Sequence, residues 1–279
     1  FDKVNHDWLI TFMRQRVGDM RILRMVQRML KSGIMEEGLT KVTKEGTPQG
    51  SILSPLLSNI YLHYVLDLWF RLQVRKTCRG EAYYFRFADD FIACFQYKSD
   101  AEKFRQELER RLEKFGLQIA EDKTRCIEFG RFARDNANGK GKKPEEFTFL
   151  GFTFYCGKTR HGKFKVKRKT ARKKLILSLK KFTEWVEDEY WRKPKIKLIK
   201  EAKRIVQGHI NYYGITDNSH SCSVYVSQVE RKLLKWLNRK SQRKAYVWQG
   251  YKDVLKHVRW PKVKIRVNLD PFGTIAATF

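Results

Sequence analysis

Asp89 and Asp90 stand side by side between two runs of strand-forming residues, Ala82 to Phe87 and Phe91 to Phe95, so the sequence predicts a β-hairpin with two carboxylates at its tip. Like charges this close repel and call for a positive neighbour, which in many sites is a divalent metal ion. In two-metal phosphoryl transfer, carboxylates hold two Mg²⁺ ions about 3.5–4 Å apart, one serving the attacking oxygen and one the leaving group. A plain Asp-Asp turn between two solvated strands is the rival reading, and the flanking apolar residues alone leave it open.

Several elements must hold that tip. Trp8, Leu9, Phe12, Met13, Ile22, Val26, Met29 and Leu30 recur at helical spacing between Asp7 and Met35, with a break near Gly18, and predict two helices. Ser54 followed by Pro55 supplies an N-cap with proline at the first helical position. The helix behind it carries Leu56, Leu57, Ile60, Tyr61, Tyr64, Val65 and Leu68 along one side. After the hairpin, Ser99 and Glu102 read as a capping box, Phe104, Leu108, Leu112 and Phe115 as a helical stripe, and Gly116 as the residue that ends it. A strand over Lys123 to Phe129, a loop over Asp135 to Lys143 and strands within Phe147 to Tyr155 complete the first part. Arg160 to Lys174 then holds nine Lys/Arg and no acid, which marks a change of domain. Helices are expected at about 170–190, 195–213, 224–246 and 250–258. The fold class is α+β: an antiparallel sheet with helices, followed by an all-α region.

Composition names the class of partner. In 279 residues, 59 Lys/Arg face 30 acids, a net charge of +29, against the excess of about 2–8 that solubility asks of a small domain. Nucleic acid is the economical polyanion, since no apolar run of about 20 residues and no signal peptide point to a membrane. The 38 aromatics (19 Phe, 12 Tyr, 7 Trp) speak against a basic ribosomal-type protein. Cys78, Cys94, Cys126, Cys156 and Cys222 are scattered without a C-x-x-C pair, so reduced, mostly buried thiols in a cytoplasmic protein, of a bacterial or archaeal host, are expected rather than zinc or disulfides.

The order of motifs is more specific than any of them singly. Phe85-Arg86-Phe87-Ala88-Asp89-Asp90 resembles the Y-A-D-D box of reverse transcriptases, and Gly46 to Pro55, with Pro48-Gln49-Gly50, resembles their P-Q-G block. Phe1 to His6 looks like the tail of the first aspartate motif. Gly116-Leu117 with Glu121 to Thr124 resembles the next block, and Phe149-Leu150-Gly151-Phe152 the primer-grip strand. Gly208-His209-Ile210-Asn211-Tyr212-Tyr213-Gly214, with the basic stretch Lys232 to Lys244, is similar to the maturase domain of group II intron proteins, although core aromatics on a helix explain Tyr212 and Tyr213 equally well.

That resemblance implies a palm over 1–157, without the fingers, a helical thumb over 158–215 and a maturase region over 216–279. It implies RNA-directed DNA synthesis with Mg²⁺ on Asp89 and Asp90, from dNTPs on an RNA template with a DNA primer, and group II intron RNA as a further partner. Phe1, Gln49, Gly50, Phe87 and Lys123 would line the nucleotide pocket, Phe1 rejecting a 2′-hydroxyl by bulk and Lys123 facing the triphosphate unless it is simply a solvated lysine. Leu150 and Gly151 would steer the primer. Arg160, Lys163, Lys165, Lys167, Arg168, Lys169, Arg172 and Lys173 would follow phosphates, and Arg239 and Arg243, among Trp236, Tyr246 and Trp248, would meet folded RNA.

Two departures stand out. Phe87 replaces the commoner tyrosine, keeping a ring and dropping a hydroxyl. The family's third metal-binding aspartate lies six residues before the position of Asp2, so it falls before residue 1, and Asp2 itself reads as a structural acid. A rival of another class follows: a splicing cofactor that binds RNA and catalyses nothing. A remoter one is a reverse transcriptase recruited to CRISPR spacer acquisition. Val263 to Phe279 shows no H-N-H or Cys-rich nuclease pattern, so no DNA-cleaving domain is expected there.

Overall fold

The computed structural model describes residues 4–31, 34–36, 39–41, 53–139, 141–239 and 246–269. The chain divides into two compact units, Phe1–Cys126 and Ile127–Phe279. Both mix helices with small antiparallel sheets or hairpins.

In the first unit, α1 (His6–Arg14) starts at Asn5, whose Oδ1 accepts from the backbone N–H of Asp7 and Trp8 at 3.0 and 3.1 Å. α2 (Met20–Lys31) buries Leu23, Val26 and Leu30, while Ile22 and Met29 lie exposed, so its core stripe is shifted from the expected one. β1 (Ile34–Glu36) and β2 (Leu39–Lys41) pair antiparallel. α3 (Ser54–Leu62) has Leu53 at its N-cap, and Ser54 is the first helical residue and buried, so the expected serine cap is not what starts it.

The helix beyond α3 is not regular. It passes through two π-helical turns, His63–Asp67 and Phe70–Val74, before α4 (Arg75–Thr77). Such turns widen the helix and leave carbonyls badly served. Arg111 answers this by donating from Nε to the Val65 carbonyl at 3.0 Å and from an Nη to that of Tyr64 at 3.4 Å, with its guanidinium over the Phe115 ring.

β3 (Ala82–Phe87) and β4 (Asp90–Phe95) pair antiparallel, Phe87 opposite Asp90. One face of the hairpin turns inward: Tyr84 stacks on Phe70 at 5.0 Å and Phe95 meets Phe104 at 5.1 Å. Phe104 belongs to α5 (Lys98–Lys114), where Phe104, Leu108, Leu112 and the following Phe115 are buried as the stripe predicts, and Gly116 takes φ +70° where a helix-ending glycine belongs. The capping box does not form, because α5 begins at Lys98 with Tyr97 as N-cap and Glu102 pairs with Lys98. Asp100 instead is buried and accepts from the N–H of Arg79 and Gly80, tying down the chain before β3. The expected strand over 123–129 is absent. Residues 120–124 coil into a turn in which Lys123 N, Thr124 N and Thr124 Oγ1 all donate to the Ala120 carbonyl.

In the second unit, the expected 135–143 loop is largely helical, α6 (Ala133–Gly139). β5 (Phe147–Phe149), β6 (Phe152–Lys158) and β7 (Phe164–Thr170) form one antiparallel sheet in that order. The basic stretch from Arg160 is thus a hairpin turn and its return strand, held by pairing from Phe152–Thr170 to Lys158–Phe164. α7 (Arg172–Glu189), α8 (Lys195–Tyr213), α9 (Ser219–Arg239) and α10 (Trp248–His257) bury Phe182, Val186, Leu198, Ile199, Val206, Val229, Leu233 and Leu237 in a core of their own. α9 starts five residues before the expected 224. All five cysteines are free, but only Cys222 is buried, and Cys94 and Cys126 are exposed, contrary to the mostly buried thiols expected. Among the described residues no helix is long and apolar enough to cross a membrane.

Candidate active site and nucleic-acid interface

The tip of the β3–β4 hairpin is a two-residue turn, Ala88-Asp89, between paired Phe87 and Asp90. Ala88 has φ +53°, a conformation glycine favours and alanine adopts only under constraint. Phe87 and both aspartates are exposed. Strand alternation sets Asp90 on the outward face with Phe85 and Tyr83, while Ala82, Tyr84 and Arg86 turn inward.

Arg86 is a cation on the apolar side of a strand, and its side chain is only 10% exposed. Its Nε and Nη2 donate to the two carboxylate oxygens of Asp67, both at 2.7 Å. Its Nη1 donates to Asn59 Oδ1 at 2.9 Å and to the Ala88 carbonyl at 2.8 Å. Asp67 holds the guanidinium's pKa up against burial. Asp67 closes the first π-helical turn, and also meets His63 Nδ1 at 3.2 Å. Sequence reading passed over Asn59 and Asp67. The available signal was Arg86 itself, since an inward charge among aromatics needs a partner.

Neither Asp89 nor Asp90 forms an ion pair among the described residues, and no cluster of three or more His, Cys, Asp or Glu suited to a metal occurs among them. Two adjacent free carboxylates nonetheless match the way Mg²⁺ is commonly held, by one or two carboxylates with substrate phosphates and water completing six oxygens. Lys123 is exposed in the 120–124 turn. Phe1, Gln49, Gly50 and Arg243 lie outside the described residues.

In the second unit, Leu150 (φ +49°) and Gly151 (φ +81°) make the tight turn between β5 and β6. The Tyr212 hydroxyl donates to the Leu150 carbonyl at 2.9 Å and its ring stacks on Phe152, while Tyr213 packs so close that a side chain at Gly151 would meet its hydroxyl at 3.0 Å. Both tyrosines therefore brace the turn. The fully buried Asn218 ties β7 to the α8–α9 connection. Of the basic residues expected to follow phosphates, Arg160, Lys163, Arg172 and Lys173 are exposed. Lys165 is half-buried against Asp217 at 3.0 Å, and Lys169 joins Glu146 at 2.8 Å while covering the Tyr155 ring. Lys167 and Arg168 are half-buried on β7, and Arg239 lies exposed over Trp236.

His209 stacks on Tyr225, ring centres 3.5 Å apart, and its Nε2 finds no hydrogen-bond partner among the described residues. Burial lowers its pKa from 6.5 to about 4. The folded state keeps the ring neutral while the unfolded chain takes up a proton near pH 6.5, so stability falls as pH drops from 6.5 toward 4. The expected loss is about 3 kcal/mol, and His209→Phe should flatten that part of a stability curve measured by denaturant unfolding between pH 7 and 4. An unchanged slope in the variant would assign the acid lability elsewhere.

Residues 1–154 match the family model "Reverse transcriptase (RNA-dependent DNA polymerase)", and residues 178–254 match "Group II intron, maturase-specific domain". Among curated proteins, YkfC of Escherichia coli (strain K12) is 29% identical over 193 residues, 60% of this chain and 47% of that protein. The group II intron-encoded protein LtrA of Lactococcus lactis subsp. cremoris is 43% identical over 72 residues, 24% of this chain and 12% of LtrA. A 91 kDa protein in the cob intron of Schizosaccharomyces pombe is 43% identical over 63 residues, 23% of this chain and 8% of that protein. The chain matches less than half the length of each of these relatives. With a match across more than half of its own length, the chain belongs to the reverse transcriptase (RNA-dependent DNA polymerase) family and carries the maturase-specific domain of group II introns.

Proposed function

We propose that this chain supplies the catalytic turn, primer grip and RNA-binding helices of an RNA-directed DNA polymerase that also assists the splicing of group II intron RNA. The observation that carries this reading is the exposed Asp89-Asp90 pair on a braced hairpin inside the reverse transcriptase match. In the proposed reaction a primer 3′-oxygen bonds to the α-phosphorus of a dNTP, the bond to the bridging oxygen breaks, the 3′-hydroxyl proton departs and pyrophosphate leaves. Asp89 and Asp90 would hold Mg²⁺, which when bound supplies charge neutralisation at the reacting phosphate. Phe87 keeps an exposed ring beside the pair, Gln49, Gly50, Phe1 and Lys123 serve the incoming nucleotide, and Leu150-Gly151 aligns the primer end. The palm, thumb and maturase region are assigned to 1–157, 158–215 and 216–279.

A second reading, an RNA-binding splicing cofactor without catalysis, is favoured by one observation: residues 178–254, apart from the aspartate pair, match the maturase-specific domain of group II introns. The test is dNTP incorporation on an RNA template with an annealed DNA primer, run on this chain and on the protein expressed from its whole reading frame. Incorporation by the whole protein supports the polymerase reading. Silence from both, with tight binding to structured RNA, supports the cofactor. Under either reading, affinity for RNA should fall steeply with salt: if six phosphates are neutralised, the slope of log affinity against log salt is about −4 on single strands and about −5 on duplex. A slope near zero in a filter-binding titration would remove the basic residues from the interface.

A further inference from the structure

We propose that Asp67, Arg86 and Asn59 form a positioning clamp that sets the direction of the Asp89 carboxylate; this rests on the polymerase reading above. The Ala88 carbonyl gripped by Arg86 belongs to the same peptide plane as the Asp89 N–H, so the bond of 2.8 Å fixes the plane from which Asp89 departs. Ala88 at φ +53° would relax if nothing opposed it, and the guanidinium fork opposes it. Three of the fork's four bonds anchor it to the helix beneath, to Asp67 and Asn59.

That anchoring depends on the π-helical turn. Asn59 and Asp67 are eight residues apart, which at 3.6 residues per turn leaves about 80° between them. The wider turn His63–Asp67 lowers the rotation per residue and takes out much of that angle, so both side chains reach one guanidinium. A buried ion pair adds little net stability over apolar residues of the same volume, so stability alone does not account for the arrangement. An apolar replacement would lose the grip on Ala88. Asp67 also neutralises Arg86, so that no uncompensated cation sits behind the two aspartates competing with a metal ion.

The experiment uses the whole protein and compares wild type, Asp67→Asn, Arg86→Gln, Arg86→Lys, the double variant Asp67→Asn/Arg86→Gln and Asp89→Asn. Tyr251→Phe, which loses a buried hydrogen bond to the Glu230 carbonyl, controls for plain destabilisation. Single-turnover incorporation is measured against Mg²⁺ concentration and against dNTP. Asp67→Asn and Arg86→Gln should each lower the maximal single-turnover rate by about 10- to 100-fold and raise the Mg²⁺ needed for half-maximal rate, with the half-saturating dNTP concentration within about threefold of wild type. Arg86→Lys keeps charge without the fork and should fall between. The double variant should be no worse than the poorer single one. Rates within about threefold of wild type, strictly multiplicative losses, or losses matched by Tyr251→Phe would overturn the clamp. A wild-type protein that Asp89→Asn silences but Asp67→Asn leaves alone sinks the clamp only, whereas a wild type with no incorporation sinks the polymerase reading and the clamp with it.

Discussion

Asp89→Asn in the whole protein should cut the single-turnover rate of RNA-templated dNTP incorporation by about 10³-fold or more, the scale expected when a carboxylate proposed to hold a catalytic metal ion becomes a neutral amide. The substitution keeps volume and one acceptor oxygen, so the Ala88-Asp89 turn has no steric reason to change. It also removes half of an exposed like-charge pair. Folding stability should therefore hold or rise slightly, and loss of activity with equal or higher Tm is the signature of a functional rather than structural carboxylate. Affinity for structured RNA should stay within about twofold, because the basic residues assigned to that contact lie in the other unit. Activity within about tenfold of wild type would overturn the proposal that Asp89 holds a metal ion.

How much of this was legible beforehand follows from the kind of signal each residue carries. The hairpin was readable because strand-forming residues flank Ala88 and the two aspartates, and the stripes of α5 and α9 because Phe104, Leu108, Leu112 and Val229, Leu233, Trp236, Leu237 repeat at helical spacing. The π-helical turns were not, since a widened turn is a property of tertiary packing, and in sequence the apolar stripe from Leu56 to Leu68 runs through the first of them as an ordinary helix would. Ser54 and Ser99 had the right chemistry for caps, but each helix begins one residue or more earlier than the cap requires. The strand expected over 123–129 failed because Thr124 turns its hydroxyl back on the Ala120 carbonyl, a local bond that competes with extended pairing. Charge was the most misleading signal. Arg160 to Lys174 reads as a change of domain with cations free to follow phosphates, yet it holds β7, with Lys165 and Lys169 engaged by Asp217 and Glu146. Those acids lie up to 52 residues away in sequence, where no spacing rule reaches.

Asn218→Ala should be the most destabilising single change in the second unit outside its apolar core. Asn218 is fully buried; its Oδ1 accepts from Thr170 N–H at 2.7 Å, and its Nδ2 donates to Thr170 Oγ1 and to the Tyr213 carbonyl, both at 2.8 Å. Alanine would leave the last N–H of β7, a buried hydroxyl and a helix-terminal carbonyl without those partners, at a cost of about 3 kcal/mol. In a unit of this size that lowers Tm by about 6–12 °C, measurable by calorimetry. Asn218→Asp should be worse, because it sets a carboxylate oxygen against the Tyr213 carbonyl in place of a donor. The change reaches function through the sheet: β7 pairs with β6, and β6 follows the Leu150-Gly151 turn that Tyr212 braces, so amide exchange should quicken from Phe164 to Thr170 before the α7–α9 core opens. A loss below about 0.5 kcal/mol would mean that water replaces the amide and that the β5–β7 sheet is held by its aromatic contacts instead.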